Sequence, residues 1–381
     1  MYLKKLKLKD FRNYSQIELN FSPATNILIG ENAQGKTNLL ESIYVLAMAR
    51  SQRTNNDHEL MRMGKDSAII QGKLANRLGT TKLEIALSPK GKKAKVNQLE
   101  QAKLSQYIGK MNVILFAPED LSLVKGSPIV RRKFIDMEFG QIDSHYLYDL
   151  SQYKAILRQR NRYLKQLQQK KVKDLLLLDV FSDQLAAFGA ELIVKRIDFL
   201  KDLSNFANQL QLEITHQQEK LVLEYLSTIT LPAANDSPEQ LYQLLKRQYT
   251  IHRDKEIFQG NTLYGPHRDD FKFIVNEQNV QLYGSQGQQR TAALAVKLAE
   301  VDLMKKRIGE YPILLLDDVL SELDGNRQTN LLRAFQQKVQ IFLTTPSLND
   351  ITRQLIKDPK IFRIQHGQVA VEQENQGGMQ G

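Results

Sequence analysis

Apolar and polar positions alternate from the first residues of the chain. Leu6 and Leu8 stand between Lys5, Lys7 and Lys9, and Ile17, Leu19 and Phe21 between Glu18 and Asn20; a period of two predicts two half-buried strands. Residues 26–29 form a short apolar strand ending at Gly30, and from 38 to 48 the apolar residues recur at helical spacing. The order obtained is strand, Gly-rich loop, helix. Further β-like stretches over about 67–113, separated at Gly79 and at Pro89-Lys90-Gly91, predict a β-subdomain.

The period then changes. Between 146 and 231, Tyr153, Ile156, Tyr163 and Leu167, followed by Leu185, Phe188, Leu192, Leu200 and Leu203, recur every three or four residues, which predicts a helical insert. Pro232, Asn235-Asp236 and Pro238 break it, and residues 260–265 mark a return to α/β patterning. The expected organisation is an α/β fold with a discontinuous core over 1–122 and 258–381 and a helical second domain over 123–257. Residues 372–381, rich in Gln and Gly, have almost nothing to bury and are expected to be disordered.

Composition adds bounds. With 381 residues the chain exceeds what one core usually holds, so two structural units are expected. Lys plus Arg outnumber Asp plus Glu by 53 to 42, a formal charge of +11 that favours a polyanionic partner. The absence of Cys excludes disulfides, thiolate chemistry and Cys-based zinc sites, and fits a reducing cytoplasm. The longest apolar run, 43–49, falls far short of a membrane span, and the Lys-interrupted N-terminus lacks the apolar stretch of a signal peptide.

Gly30-Glu31-Asn32-Ala33-Gln34-Gly35-Lys36-Thr37 fits the phosphate-loop spacing G-x-x-x-x-G-K-[ST] in full. The glycines let successive N–H groups face phosphate oxygens, Lys36 bridges those oxygens, and Thr37 offers a hydroxyl to Mg²⁺. Such a loop needs a carboxylate to complete the metal shell. The buried-strand pattern 313–316 ends in Asp317, the metal-side candidate, and Asp318, expected on the opposite face to polarise an attacking water.

Two further segments narrow the class. Ser285-Gln286-Gly287-Gln288-Gln289-Arg290, before a helix expected over 291–305, resembles the ABC signature. A hydroxyl and a Gly at a helix start make an anion site, which serves a phosphate arriving from a second copy; the competing reading is a turn with Ser285 as N-cap. Ser321-Glu322-Leu323-Asp324 follows Asp318 as the D-loop follows the metal-binding strand in ABC proteins.

Phe11-Arg12-Asn13-Tyr14, the loop 30–37, Phe116-Ala117-Pro118-Glu119-Asp120-Leu121, Gly265-Pro266-His267-Arg268-Asp269-Asp270 and the stretch 314–324 together resemble the RecF family, over nearly the whole chain. The resemblance implies an ABC-type P-loop ATPase head, similar to those of SMC and Rad50, with an inserted helical arm in place of a long coiled coil. It further implies ATP and Mg²⁺ as cofactors and an ATP-dependent homodimer on gapped or junction DNA. RecR and RecO are implied as partners, with RecA loading and the SOS response downstream. On this resemblance Arg12 and Asn38 join the loop, Ser285, Gly287 and Gln288 as nucleotide contacts, and Glu119 lies near the Q-loop position. Thr345 takes the γ-phosphate sensor place, where many relatives carry a His. That substitution, with Asp318 in place of Glu, predicts slow, DNA-stimulated turnover by Lys36, Asp318 and Thr345. An ABC-transporter subunit and a small-molecule kinase are the two other readings of the same loop.

For DNA the sequence offers electrostatics without a base-reading motif. From 151 to 173 stand eight basic residues and no acidic one, among them Arg158, Arg160, Arg162 and Lys165; they either track phosphates or solvate an amphipathic helix. Arg50, Arg53 and Arg62 form a second candidate patch. His267, a lone imidazole after a proline, is expected to brace a junction.

Overall fold

The computed structural model describes residues 1–231, 237–318, 335, 338–347 and 358–371, the side chains at 119 and 121 apart. The Ser321-Glu322-Leu323-Asp324 loop, the tail 372–381 and the Glu119 side chain lie outside the described residues. The chain packs as two compact units, Met1–Asp120 with Met304–Gly381, and Leu121–Leu303.

In chain order the first unit begins with β1 (Tyr2–Phe11), β2 (Tyr14–Asn20), β3 (Thr25–Ile29), α1 (Lys36–Met48), β4 (Ala68–Asn76), β5 (Gly79–Ser88), β6 (Gly91–Val96), β7 (Leu99–Glu100), α2 (Leu104–Tyr107) and β8 (Val113–Phe116). The second unit carries α3 (Ser122–Lys125), α4 (Pro128–Ile142), α5 (Ser144–Gln168), α6 (Leu176–Ile214), β9 (Leu221–Leu226), α7 (Pro238–Ile251), α8 (Arg253–Gln259), β10 (Asp270–Val275), β11 (Gln278–Asn279) and α9 (Val280–Tyr283). Helix α10 (Gln286–Ile308) begins in the second unit and ends in the first, to which β12 (Ile313–Asp317), β13 (Ile341–Thr345), β14 (Lys360–Gln365) and β15 (Gln368–Val371) also belong.

Among the described residues the first unit holds two sheets. One is antiparallel in the order β2-β1-β4-β5-β6-β7, so the two N-terminal strands and the region 67–113 form a single sheet. The other runs β15-β14-β3-β13-β12-β8, parallel from β14 to β8. Its inner strands are buried on both faces, Thr25–Ile29 throughout and Ile313 to Leu316 completely; this is why they read as unbroken apolar runs while β1 alternates. Register places Thr345 opposite Ile29 and Asp317 opposite Thr344. The carboxyl ends of three parallel strands therefore meet on one edge, where open α/β sheets bind ligands.

The second unit is not purely helical. β9 pairs antiparallel with β10 from Leu221↔Val275 to Leu226↔Asp270, and β11 completes a three-stranded sheet. That pairing keeps residues 258–303 with the insert, whereas the sequence reading assigns 258 onward to the core. One hydrophobic core joins α4, α5, α6, the sheet and α10 through residues such as Phe139, Tyr146, Phe199, Leu203, Phe271 and Val296.

Candidate nucleotide-binding site

The loop after β3 owes its shape to two residues with positive φ, Ala33 at 63° and Gly35 at 116°. Gly35 is obligatory twice over: a side chain would be strained at that φ, and a Cβ would meet Asn13 Nδ2 at 2.5 Å and Tyr14 Oη at 3.0 Å. Those neighbours hold the loop from the β1–β2 turn. Tyr14 Oη donates to the Gly35 carbonyl at 2.9 Å, Asn13 Nδ2 to the Gln34 carbonyl at 3.3 Å, and Asn38 Nδ2 to Asn13 Oδ1 at 3.0 Å. From the other side the turn between β14 and β15 grips Gln34, its His366 amide donating to Oε1 at 2.7 Å and its Gly367 amide to the carbonyl at 3.2 Å. Gly30 fits because a Cβ there would lie 2.3 Å from the Ile364 carbonyl oxygen.

Lys36 opens α1 and folds its ammonium back onto the carbonyls of Gly30 and Glu31, the latter at 2.8 Å. Burial lowers its pKa, while Asp318 and Asp317 pull in the opposite direction. Thr37 Oγ1 donates to Asp317 Oδ1 at 3.0 Å, and the same oxygen accepts from Thr344 Oγ1 at 2.8 Å. Thr344 also accepts the Asp318 amide at 2.8 Å. Asp318 lies past the end of β12 with φ 53°, so the alternation that would put it on the opposite strand face does not apply. Thr345 turns its hydroxyl to the Ser347 carbonyl at 2.7 Å. Thr344 carries no role in the sequence analysis, although it touches both acids from within β13.

A buried carboxylate organises the other wall. Glu41, fully buried on α1, receives a bidentate pair from Arg12 Nε and Nη2 at 2.9 and 3.0 Å, Ser51 Oγ at 2.5 Å, and Arg53 at 3.5 Å. A charge so placed needs such partners, since its desolvation costs several kcal/mol, roughly the size of the loss on removing them. Arg12 (φ 51°) and Arg53 are thereby fixed, Arg53 also bonding Asn38 Oδ1 at 3.0 Å. Arg12, Asn13, Asn38, Glu59, Met61, Arg62 and Met63 line a groove of about 520 Å³. The structure thus gathers Arg53 and Arg62, proposed from sequence for DNA, beside the proposed nucleotide contacts Arg12 and Asn38. Arg62 also pairs with Asp10 at 3.5 Å, and Arg50 is half-buried after α1.

In the second unit Ser285 and Gln288 cap α10 reciprocally. The Gln288 amide donates to Ser285 Oγ at 3.2 Å and the Ser285 amide to Gln288 Oε1 at 3.0 Å, the pattern of a capping box. Ser285 and Gly287 are exposed at that helix start. Gln288 Nε2 is further tied to Glu219 at 3.0 Å.

The basic stretch divides. Arg158, Arg162 and Lys165 are exposed on α5, but Arg160 is not a DNA contact: it is fully buried. Its guanidinium pairs with Glu256 Oε2 at 2.6 Å, donates to Ser182 Oγ at 3.0 Å and Thr262 Oγ1 at 2.8 Å, and lies 4.6 Å from the Tyr249 ring centroid. The expectation fails because Arg160 follows Ile156 and precedes Leu164 by four residues each, on the apolar stripe itself.

Comparison with known proteins gives the family and the fold. The RecF/RecN/SMC N terminal domain family matches residues 2–369. The DNA replication and repair protein RecF of Ligilactobacillus salivarius (strain UCC118) is 62% identical over 372 residues, 98% of each chain. That of Latilactobacillus sakei subsp. sakei (strain 23K) is 60% identical over 98% of this chain and 100% of its own. A solved structure of the recombination mediator protein RecF-ATP in the RecFOR pathway superposes with TM-score 0.91 at 34% identity, covering 98% of both chains. The Smc head domain of Pyrococcus furiosus with an extended coiled coil, bound to the C-terminal domain of ScpA, shares the fold at TM-score 0.55 and 16% identity, over 97% of this chain and 96% of its own. With an ABC-type ATPase head and this degree of identity along nearly its whole length, the chain belongs to the RecF family.

Proposed function

We propose that this RecF-family chain is a weak, DNA-stimulated ATPase that acts as a switch, dimerising around ATP to clamp gapped or junction DNA. The observation that carries the reading is the convergence of the Thr37 and Thr344 hydroxyls on Asp317, with the Asp318 amide donating to Thr344, directly beside a phosphate loop braced on two sides. Relatives named DNA replication and repair protein RecF, and a solved RecF with ATP, support it.

In this reading Lys36 and the loop amides bind the β- and γ-phosphates, and Arg12 and Asn38 hold the nucleotide from the groove side. Thr37 and Asp317 offer hard oxygen donors on adjacent elements, a set that fits Mg²⁺ completed by phosphate and water oxygens. Mg²⁺ there would neutralise charge developing on the transferred phosphoryl group. Asp318 orients the attacking water and Thr345 senses the γ-phosphate. Ser285, Gly287 and Gln288 of a second copy would close the site at the N-terminus of α10. Slow hydrolysis resets the clamp, which helps RecR and RecO load RecA in the cytoplasm and supports the SOS response.

ATP turnover measured with and without a gapped duplex tests the proposal. The expected result is slow turnover raised by DNA and abolished in Lys36→Ala and Asp317→Asn; fast turnover indifferent to DNA contradicts it.

A further inference from the structure

The Gly265-Pro266-His267-Arg268-Asp269-Asp270 motif lies in the second unit, and its charges do not pair off one to one. Asp270 is taken up by Arg131, which donates from Nε and Nη2 at 2.8 Å each. Asp136 is shared by Arg196 and Lys154 at 2.8 Å each. Both oxygens of Asp269 are spent on neutral donors, the Tyr225 hydroxyl at 2.6 Å and the amide and hydroxyl of Thr228 at 2.7 and 2.8 Å.

Two guanidinium groups are left over. Arg132 on α4 donates Nη1 to the Asp269 carbonyl at 2.8 Å and the Arg268 carbonyl at 3.5 Å, and Arg268 donates Nε and Nη2 to the Thr262 carbonyl at 3.3 and 3.2 Å. Neither forms an ion pair among the described residues. Arg268 is exposed and Arg132 half-buried. Their positions are thus ordered by backbone carbonyls, with no carboxylate among the described residues in direct contact. The field they create is felt locally. Burial lowers the Arg132 pKa, Asp270 opposes this, and Arg196 and Arg268 lower it further. His267 is pushed down to about 4 by burial, with Arg268, Arg132 and Arg160 adding to the shift against its bond to Thr262.

We infer that Arg132 and Arg268 are a preordered phosphate-contact site for the sugar-phosphate backbone of DNA. Planar guanidinium groups with unspent N–H donors suit phosphate oxygens, and fixing them in advance removes much of the entropy cost of gripping the strand. No base edge need be read: contacts of this kind position a duplex without sequence preference. The inference rests on the DNA-clamp reading and gives it a location that the basic run on α5 does not.

The test is the salt dependence of gapped-duplex binding by the full chain with ATP present, followed by fluorescence anisotropy from 50 to 200 mM salt. The chains compared are wild type, Arg132→Gln, Arg268→Gln, their double and Arg268→Lys. Glutamine keeps a donor for the backbone carbonyls and loses the charge. The double variant is expected to bind more weakly, with a log–log slope shallower by about two, so that wild type loses about twelvefold more affinity across that range. Arg268→Lys, which keeps the charge, retains most of the slope. If the double variant does not fold, Arg268→Gln alone decides, with an expected change of about one in slope. Wild-type affinity and slope in the glutamine variants, or a lysine variant as impaired as the glutamine one, overturns the site and leaves the clamp reading intact. A wild type that binds no DNA overturns the clamp reading, and the site with it.

Discussion

Thr37 Oγ1 donates to the same Asp317 oxygen that Thr344 Oγ1 approaches from the neighbouring strand, at 3.0 and 2.8 Å. One carboxylate oxygen is thus aimed by a residue of the phosphate loop and by a residue of β13. Thr344 is a positioning residue: it orients Asp317 and, through the Asp318 amide, the start of the next loop. Outer partners of this kind typically alter metal affinity by 10- to 100-fold. Thr344→Val keeps the shape and loses both bonds. The Mg²⁺ concentration for half-maximal turnover is expected to rise by about tenfold or more, with nucleotide binding in the absence of Mg²⁺ little changed. An unaltered Mg²⁺ titration contradicts the assignment.

Gly30 meets a wall of backbone. Its absent Cβ would sit 2.3 Å from the Ile364 carbonyl oxygen, and β14 is paired with β3 along four residues and cannot retreat cheaply. Gly30→Ala is expected to displace the loop and weaken ATP binding by about tenfold, the factor that 1.4 kcal/mol of misfit produces. Calorimetric titration with ATP checks this; wild-type affinity in the variant shows that the hairpin gives way.

Removing Arg160 strands Glu256 without its charge partner at 0% exposure. Arg160→Met is expected to cost about 3–5 kcal/mol, and the double change Arg160→Met with Glu256→Leu to recover much of it. Thermal midpoints of the three variants decide the matter. An Arg160→Met chain with wild-type stability and weakened DNA binding would restore Arg160 to the DNA surface.

His267 is held neutral. Its Nε2 faces the Thr262 carbonyl at 3.2 Å, which can only accept, so Nε2 carries the hydrogen and Nδ1 accepts from the Tyr153 hydroxyl at 2.6 Å. Its pKa is lowered to about 4, so below the ordinary value of 6.5 the unfolded chain binds a proton that the native chain refuses. Stability from this group is therefore full above pH 6.5 and falls as the pH drops toward 4, by up to about 3 kcal/mol. His267→Gln, which retains an acceptor and a donor, flattens that part of the profile. Thermal midpoints from pH 7 to 4.5 that run parallel in the two proteins contradict the assignment.

What the sequence could disclose follows from how local each signal is. The phosphate loop is readable because its glycines, lysine and threonine sit at fixed spacing between a buried strand and a helix. Asp317 is readable because a wholly apolar run stops there. Thr344 is not, since neighbouring positions at a strand end point to opposite faces and only the register with β12 says which one reaches the acid. Arg160 did carry a signal, its place on the Ile156–Leu164 stripe, which the surrounding positive charge obscured. Glu41 carried one too, as a carboxylate set between Leu40 and the apolar run 43–48 of its helix. The partnership of β9 with β10 bridges more than forty residues of chain, beyond the reach of periodicity, and that pairing moves the unit boundary to 303.

In the proposed switch, ATP brings two copies together on DNA. Light scattering of the full chain with ATP and a gapped duplex, against each alone, measures it directly. The protein mass is expected to double only when ATP is present, an increase lost in Lys36→Ala and in Ser285→Arg and longer-lived in Asp318→Asn. A chain that stays monomeric with ATP and DNA, or that dimerises equally without nucleotide, contradicts it.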